Sequence, residues 1–167
     1  MTHCVLGIDP GLAHTGWGLI KSDGIRHAHL AHGSIKTPAA MPFHERLLTI
    51  HQNLSQLIEE YRPVGAGMET LYFSKNVSSG IPVAQARGVA VLAIAQRSMA
   101  FQEFSPTAIK QSVVGSGGAD KTQVQHMVRL LLGLPDIPKP DHAADALAAA
   151  ITFVHHGSLW STASVVQ

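Results

Sequence analysis

A chain of 167 residues, 46% hydrophobic and 14% charged, is long enough to bury one domain's core and is too apolar to be intrinsically disordered. Its formal net charge of +1 says nothing alone about a polyanionic partner, but residues 1–70 carry a net −1 and residues 71–140 a net +4, which reads either as a modest nucleic-acid footprint or as an ordinary solvated surface. The single cysteine, Cys4, excludes an intrachain disulfide, no signal-peptide pattern opens the chain, and the longest apolar-rich run, Ala143 to Val154, contains Asp145 and is too short to span a bilayer; a cytoplasmic protein is expected.

In chain order, residues 3–9 read as a buried strand, and Pro10-Gly11 turns the chain. Gly16 to Ile20 reads as a second strand, Ser22-Asp23-Gly24 as a hairpin turn, and Ile25 to Ile35 as a third strand, giving an antiparallel meander. Between Phe43 and Tyr61, Leu47, Leu48, Ile50, Leu54, Leu57 and Ile58 recur at helical spacing, and Arg62-Pro63 ends that helix. Val64 to Glu69 reads as a strand, Val83 to Arg97 as an Ala-rich helix, and Phe101 to Phe104 as a strand. Helical patterns follow over Thr107 to Val114 and Lys121 to Leu132, separated by Gly115-Ser116-Gly117-Gly118. Pro135, Pro138 and Pro140 stiffen the approach to a last helix, from Asp141 to about His155. The order β-β-β-α-β-α-β-α-α-α predicts an α/β fold with a mixed five-stranded sheet and helices on both faces. Residues 1–157 are expected to form one domain, with 158–167 a flexible tail.

Four residues point to chemistry. Asp9 ends the run Cys4-Val5-Leu6-Gly7-Ile8, and Glu69 ends Val64-Gly65-Ala66-Gly67-Met68. A carboxylate at the end of a buried strand is costly unless its charge is compensated. Asp9 could instead cap its own turn, and Glu69 could simply face water. In Asp141-His142-Ala143-Ala144-Asp145, Asp141 follows Pro140 and reads most simply as the helix N-cap. His142 and Asp145 share a face at i, i+3; Asp141 and Asp145 do so at i, i+4, so either Asp141 or His142 could join Asp145 as a ligand. Strand-end acids with helix-borne acid and imidazole suggest a divalent-metal site of the kind that cuts phosphodiesters.

Two further groups are candidates for nucleic-acid contact. Lys110 lies in a helical pattern, and Lys121 follows the Gly-rich loop; that loop lacks the G-x-x-x-x-G-K-[ST] spacing and is not a P-loop, although amides at the helix start could hold a phosphate. In Leu71-Tyr72-Phe73-Ser74-Lys75-Asn76, adjacent aromatics cannot both face one core, so one is expected to be free to stack on a base. The other histidines that stand singly, among them His14, His27, His29 and His32, are expected to be surface or strand-face residues.

Six ordered segments together resemble the bacterial Holliday-junction resolvases of the RuvC family: Gly7-Ile8-Asp9-Pro10-Gly11 with Thr15-Gly16; Glu69 with Tyr72, Phe73, Lys75 and Asn76; Gln85 to Ala90; Lys110 to Gly115; Lys121 to Val128; and His142 to Ala148. The resemblance implies the ribonuclease-H-like fold and an endodeoxyribonuclease of recombination and repair, nicking four-way junctions in symmetric pairs to leave 5′-phosphate and 3′-hydroxyl ends. It implies two divalent ions, Mg²⁺ or Mn²⁺, held by Asp9, Glu69, His142 and Asp145, with Asp141 left as a cap. It places Lys121 and Lys110 near the scissile phosphate and Tyr72, Phe73, Lys75 and Asn76 against junction DNA. It also implies a homodimer and partnership with the branch-migration proteins RuvA and RuvB. The stretch 83–97, with small residues Ala84, Ala86, Gly88 and Ala90, is the candidate dimer helix unless that face is core. Sugar kinases and actin-like ATPases also begin with a strand ending in Asp-x-Gly, but need two such domains. A non-cutting junction binder and a nuclease of other nucleic acids complete the rival readings.

Overall fold

The computed structural model describes residues 1–71 and 77–157. Among them five strands, β1 (His3–Asp9), β2 (His14–Ser22), β3 (His27–Lys36), β4 (Gly65–Glu69) and β5 (Ala100–Phe104), alternate with five helices, α1 (Phe43–Tyr61), α2 (Val77–Ala95), α3 (Pro106–Val114), α4 (Lys121–Leu131) and α5 (Asp141–His155), in the predicted order. The sheet runs β3-β2-β1-β4-β5. β1 pairs antiparallel with β2, and β2 with β3; β4 pairs parallel with both β1 and β5. The mixed sheet is therefore as expected.

Alternation along the strands sorts side chains to two cores. Val5 and Ile20 pack with residues of α3, α4 and α5 on one face, including Ile109, Val128, Leu147 and Ile151. Leu6, Ile8 and Leu19 pack with Ile50, Leu54, Ala90 and Ile94 of α1 and α2 on the other. Helix α5 is buried along almost its whole length, with Asp145 the partly exposed interruption. It lies flat on the sheet because glycine faces it: a Cβ at Gly7 would strike the Ala146 carbonyl oxygen, and one at Gly16 the backbone of His142. No helix among the described residues is long and apolar enough to cross a membrane.

Several boundaries differ from the sequence reading. Helix α2 begins at Val77, not Val83, with Pro82 inside it; proline's φ suits a helix and its ring removes one early hydrogen bond, so the turn continues through it. The helix stops by Ala95, where Ser98 takes a positive φ of 51°. The hairpin turn extends to Arg26, because Asp23 Oδ1 accepts from the amides of both Ile25 and Arg26. Of the small residues named for a dimer face, Ala86 and Ala90 are fully buried in the α1–α2 core. The outward face of α2 is instead Ile81, Gln85, Gly88, Leu92 and Ala95, with Ile81 and Leu92 about half exposed.

Candidate active site

Parallel pairing sets Ile8 of β1 beside Met68 of β4, so Asp9 and Glu69 emerge at the same end of the sheet. The first turn of α5 lies at that end, seated over Gly16, the residue that pairs with Asp9 across β2. His142 Nδ1 is 2.7 Å from Asp9 Oδ2. Asp145, three residues on, completes a trio: one ligand atom each from Asp9, His142 and Asp145 lie within 4.8 Å of one another. Glu69 stands outside this trio, along a cavity of 250 Å³ that it lines with Lys110, Lys121, Asp145, Ile109 and Val124.

The electrostatics are those of a carboxylate cluster. Burial pushes the Asp9 carboxyl above its ordinary range; the His142 hydrogen bond opposes this and Asp145 adds to it. Burial likewise raises Glu69, reinforced by Asp9 and Asp145 and opposed by Lys110 and Lys121. Burial works against the charged form of Lys121, but Asp145 and Asp141 outweigh it and hold its pKa above the usual lysine value.

Lys121 reaches the site because its helix start is fixed. Asp120 caps α4 by accepting from the Gln123 amide at 2.9 Å, and Gln123 Oε1 accepts from the Asp120 amide at 2.9 Å, a reciprocal capping box. Lys121 Nζ then lies 3.3 Å from Asp145 Oδ2 and 3.6 Å from Asp141 Oδ2. The Asp120 carboxylate takes the Gln123 amide, one of the helix-start amides that could have held a phosphate. Gly115 caps α3 in the left-handed region, at φ 85°, and Gln111 braces the loop through Gly115 and Gly117. Asp141 is not the N-cap of α5: Pro140 holds that position, Asp141 is the first helical residue, and its carboxylate faces Lys121. Of the two residues that could join Asp145, His142 faces Asp9 and Asp141 faces Lys121.

A family model for the crossover junction endodeoxyribonuclease RuvC matches residues 5–153. The chain belongs to the RuvC family. It is 52% identical over 156 residues to the RuvC of Treponema denticola, covering 93% of this chain and 88% of that one. It is 53% identical over 146 residues to the RuvC of Chloroflexus aggregans, covering 87% and 89%. Among solved structures it resembles T. thermophilus RuvC in complex with a Holliday junction substrate, with a TM-score of 0.89, 32% identity, and 94% and 96% of the two chains covered. The ribonuclease-H-like fold expected from the six segments stands.

Two residues that support the site were given no role from sequence. Arg87 of α2, largely buried, donates from Nη1 to the Glu69 carbonyl at 2.7 Å and pairs through Nη2 with Glu103 of β5. It thereby fixes the strand end that carries Glu69; an arginine amid an Ala-rich helix was the available signal. The ring of His14 stacks on that of His142, with centroids 5.7 Å apart and planes 11° from parallel. Its place just before Thr15-Gly16, at the sheet end that carries Asp9, was the signal there. Tyr72, Phe73, Lys75 and Asn76 lie outside the described residues, as does the tail from Ser158.

The donor set fits a divalent metal. Crowded carboxylates with raised proton affinity and one imidazole could hold a cation, Asp9, His142 and Asp145 being the three whose ligand atoms converge and Glu69 lying beside them.

Proposed function

We propose that this protein is a crossover junction endodeoxyribonuclease that resolves four-way (Holliday) DNA junctions by metal-dependent, paired symmetric nicking, leaving 5′-phosphate and 3′-hydroxyl ends. The observation that carries this reading is the convergence of Asp9, His142 and Asp145, with Glu69 beside them, in a chain of the RuvC family. Asp9, Glu69, His142 and Asp145 would hold two divalent ions, Mg²⁺ or Mn²⁺. When bound, such ions supply Lewis-acid charge at the scissile phosphate and ease deprotonation of the attacking water.

The chain's own groups do the rest. The Asp9 carboxylate, held by His142, accepts positive charge at the end of a rigid strand. Lys121, kept protonated by two carboxylates, brings a fixed cation to the phosphate, and Lys110 adds a second along the same cavity. His14 keeps the His142 ring in plane by stacking. Tyr72 or Phe73 would stack on unpaired junction bases, with Lys75 and Asn76 contacting the backbone. Residues 1–157 form the nuclease unit of this reading, working in the cytoplasm with the branch-migration proteins RuvA and RuvB.

Two symmetric nicks call for two active sites related by a two-fold axis, hence a homodimer. The exposed face of α2, with Ile81 and Leu92 flanking Gly88, where an added Cβ would meet open space, is the surface we assign to it.

The test is a synthetic immobile four-way junction incubated with Mn²⁺, Mg²⁺ or EDTA and read on denaturing gels beside a plain duplex. Paired symmetric nicks in the junction alone, abolished by EDTA, are expected. Tight binding without nicks in any metal would replace this reading with that of a junction-binding module.

A further inference from the structure

At the end of the sheet away from Asp9, two imidazoles face each other. His27 opens β3 and His155 closes α5; their Nε2 atoms are 2.9 Å apart. Each ring is held from behind. Ser22 Oγ lies 2.9 Å from His27 Nδ1 and itself accepts from the Gly24 amide at 3.0 Å. Ser112 meets His155 Nδ1 with its hydroxyl at 3.0 Å and its carbonyl oxygen at 3.2 Å.

These partners assign the protons. The Ser112 carbonyl can only accept, and it sits in the last turn of α3, where helix carbonyls lack an intrahelical partner. His155 therefore carries its proton on Nδ1 and turns the Nε2 lone pair toward His27. His27 donates from Nε2, and its Nδ1 accepts from the Ser22 hydroxyl. One tautomer change suffices to rearrange this: with the His27 proton on Nδ1, donated to Ser22 Oγ, both Nε2 lone pairs converge on one point. Two imidazoles bound to one ion at about 2.0–2.1 Å place their nitrogens roughly 2.9–3.4 Å apart, so almost no movement is needed. Burial first, and then His155, disfavour protonated His27, with Asp23 opposing; that leaves it in the neutral form a metal requires. Asp23 acts on His27 through its charge, while its Oδ1 accepts the amides of Ile25 and Arg26.

We propose that His27 and His155 form a second, two-imidazole metal site, taking a transition-metal dication of the Zn²⁺ or Ni²⁺ class with water completing the shell. Nitrogen-only donors select against Mg²⁺. A hydrogen-bond partner behind each ring, Ser22 Oγ for His27 and the Ser112 carbonyl and hydroxyl for His155, fixes the ring as the outer partners of metal-binding histidines do. The site is separate from the proposed catalytic one: His142 and His155 are thirteen positions apart on α5, about 20 Å of helix. An ion here would tie the β2–β3 hairpin to α5, which already holds α3 through Ser112. His29 and His32 also touch, Nε2 to Nδ1 at 2.7 Å, but both belong to β3, and among the described residues nothing comparable to Ser22 and Ser112 orients them.

The experiment is calorimetric titration with Zn²⁺, and separately Ni²⁺, of the full chain carrying His142→Ala, in excess Mg²⁺, because these ions would otherwise also enter the Asp9–His142–Asp145 group. One Zn²⁺ per chain is expected in that protein, bound at least about tenfold more weakly when His27→Gln or His155→Gln is added, and equally well when His29→Gln is added. Zn²⁺ should raise the melting temperature of the His142→Ala protein and not of the first two double variants. Unchanged binding on adding either His27→Gln or His155→Gln, or loss on adding His29→Gln alone, would overturn the proposal. Should either of the first two double variants fail to fold, Cu²⁺ bound to the His142→Ala protein under the same conditions decides by its resonance spectrum. Hyperfine coupling to two imidazole nitrogens supports the site, and coupling to one or none refutes it.

Discussion

His142 Nδ1 rests 2.7 Å from Asp9 Oδ2, joining the last helix to the first strand across 133 positions of sequence. The contact depends on the glycines beneath α5, since side chains at Gly7 or Gly16 would lift the helix and carry His142 away from Asp9. It also eases an electrostatic conflict only in part. Asp9 and Glu69 both have raised proton affinities, so the folded chain holds them ionised at neutral pH at a cost. That cost is what a bound cation relieves.

Asp9→Asn should therefore separate stability from activity. Cleavage of a junction should fall by about 10³-fold or more, while junction affinity holds. In EDTA the variant should melt higher than the parent at neutral pH, by roughly 2–4 °C for each kcal/mol relieved. The sign follows from linkage. A carboxyl whose pKa is raised on folding favours the folded state fully below the unfolded value, about pH 4, and loses that contribution as pH rises through the higher native value. The melting advantage of the variant should thus shrink as pH is lowered toward 4. An advantage that grew on acidification would contradict the assigned shift.

Among the described residues, His142 is the one nitrogen donor of the proposed metal site, and imidazole suits Mn²⁺ better than Mg²⁺, which favours oxygen. Initial cleavage rates should be higher in Mn²⁺ than in Mg²⁺ for the parent. His142→Asp should narrow that ratio by about tenfold while leaving cleavage measurable. An unchanged ratio would show that His142 does not touch the ion.

Lys121 is more than half exposed, and its pairs with Asp141 and Asp145 are surface pairs that add little to stability. Lys121→Met should leave the melting temperature within a degree or two and lower the single-turnover rate at saturating DNA by about 10²-fold. A normal rate under those conditions would remove Lys121 from the catalytic group.

Much of this was legible in the residues. The order and type of every element followed from periodicity and punctuation, because each strand and helix buries one strong apolar pattern. Asp9 and Glu69 announced themselves as acids ending apolar strands. What local sequence could not give was contact between distant segments. Asp141 reads as a cap after Pro140, but its pairing with Lys121 depends on how α4 meets α5. Arg87 looks like a solvated helix residue until β4 and β5 come beside it. The sequence reading starts this helix at Val83, yet α2 begins at Val77 and runs through Pro82.

Arg87 offers a test of how firmly Glu69 must be held. Arg87→Met keeps the stem and removes both the bond to the Glu69 carbonyl and the charge facing Glu103. The Glu69 carbonyl, which water reaches, loses its donor at a cost of about 0.5–1.5 kcal/mol in stability. The single-turnover rate should drop about tenfold through misplacement of Glu69, with junction affinity little changed. Arg87→Lys should recover part of the rate, since it restores one donor without the fork. Equal losses in both variants would mean that the two-pronged geometry is required.

Leu92→Glu tests the proposed homodimer surface without touching the site. Leu92 is 52% exposed on α2, so a charge there leaves the folded protomer intact. Within a two-fold interface the same substitution sets two carboxylates into an apolar contact, and self-association should weaken by at least about tenfold in sedimentation equilibrium. Cleavage should then change in kind. Nicks on opposing strands, near-simultaneous in the dimer, should become independent, and a circular junction substrate should accumulate singly nicked product. If the protein remains dimeric and its nicks remain coupled, the two-fold axis passes through another face of the molecule.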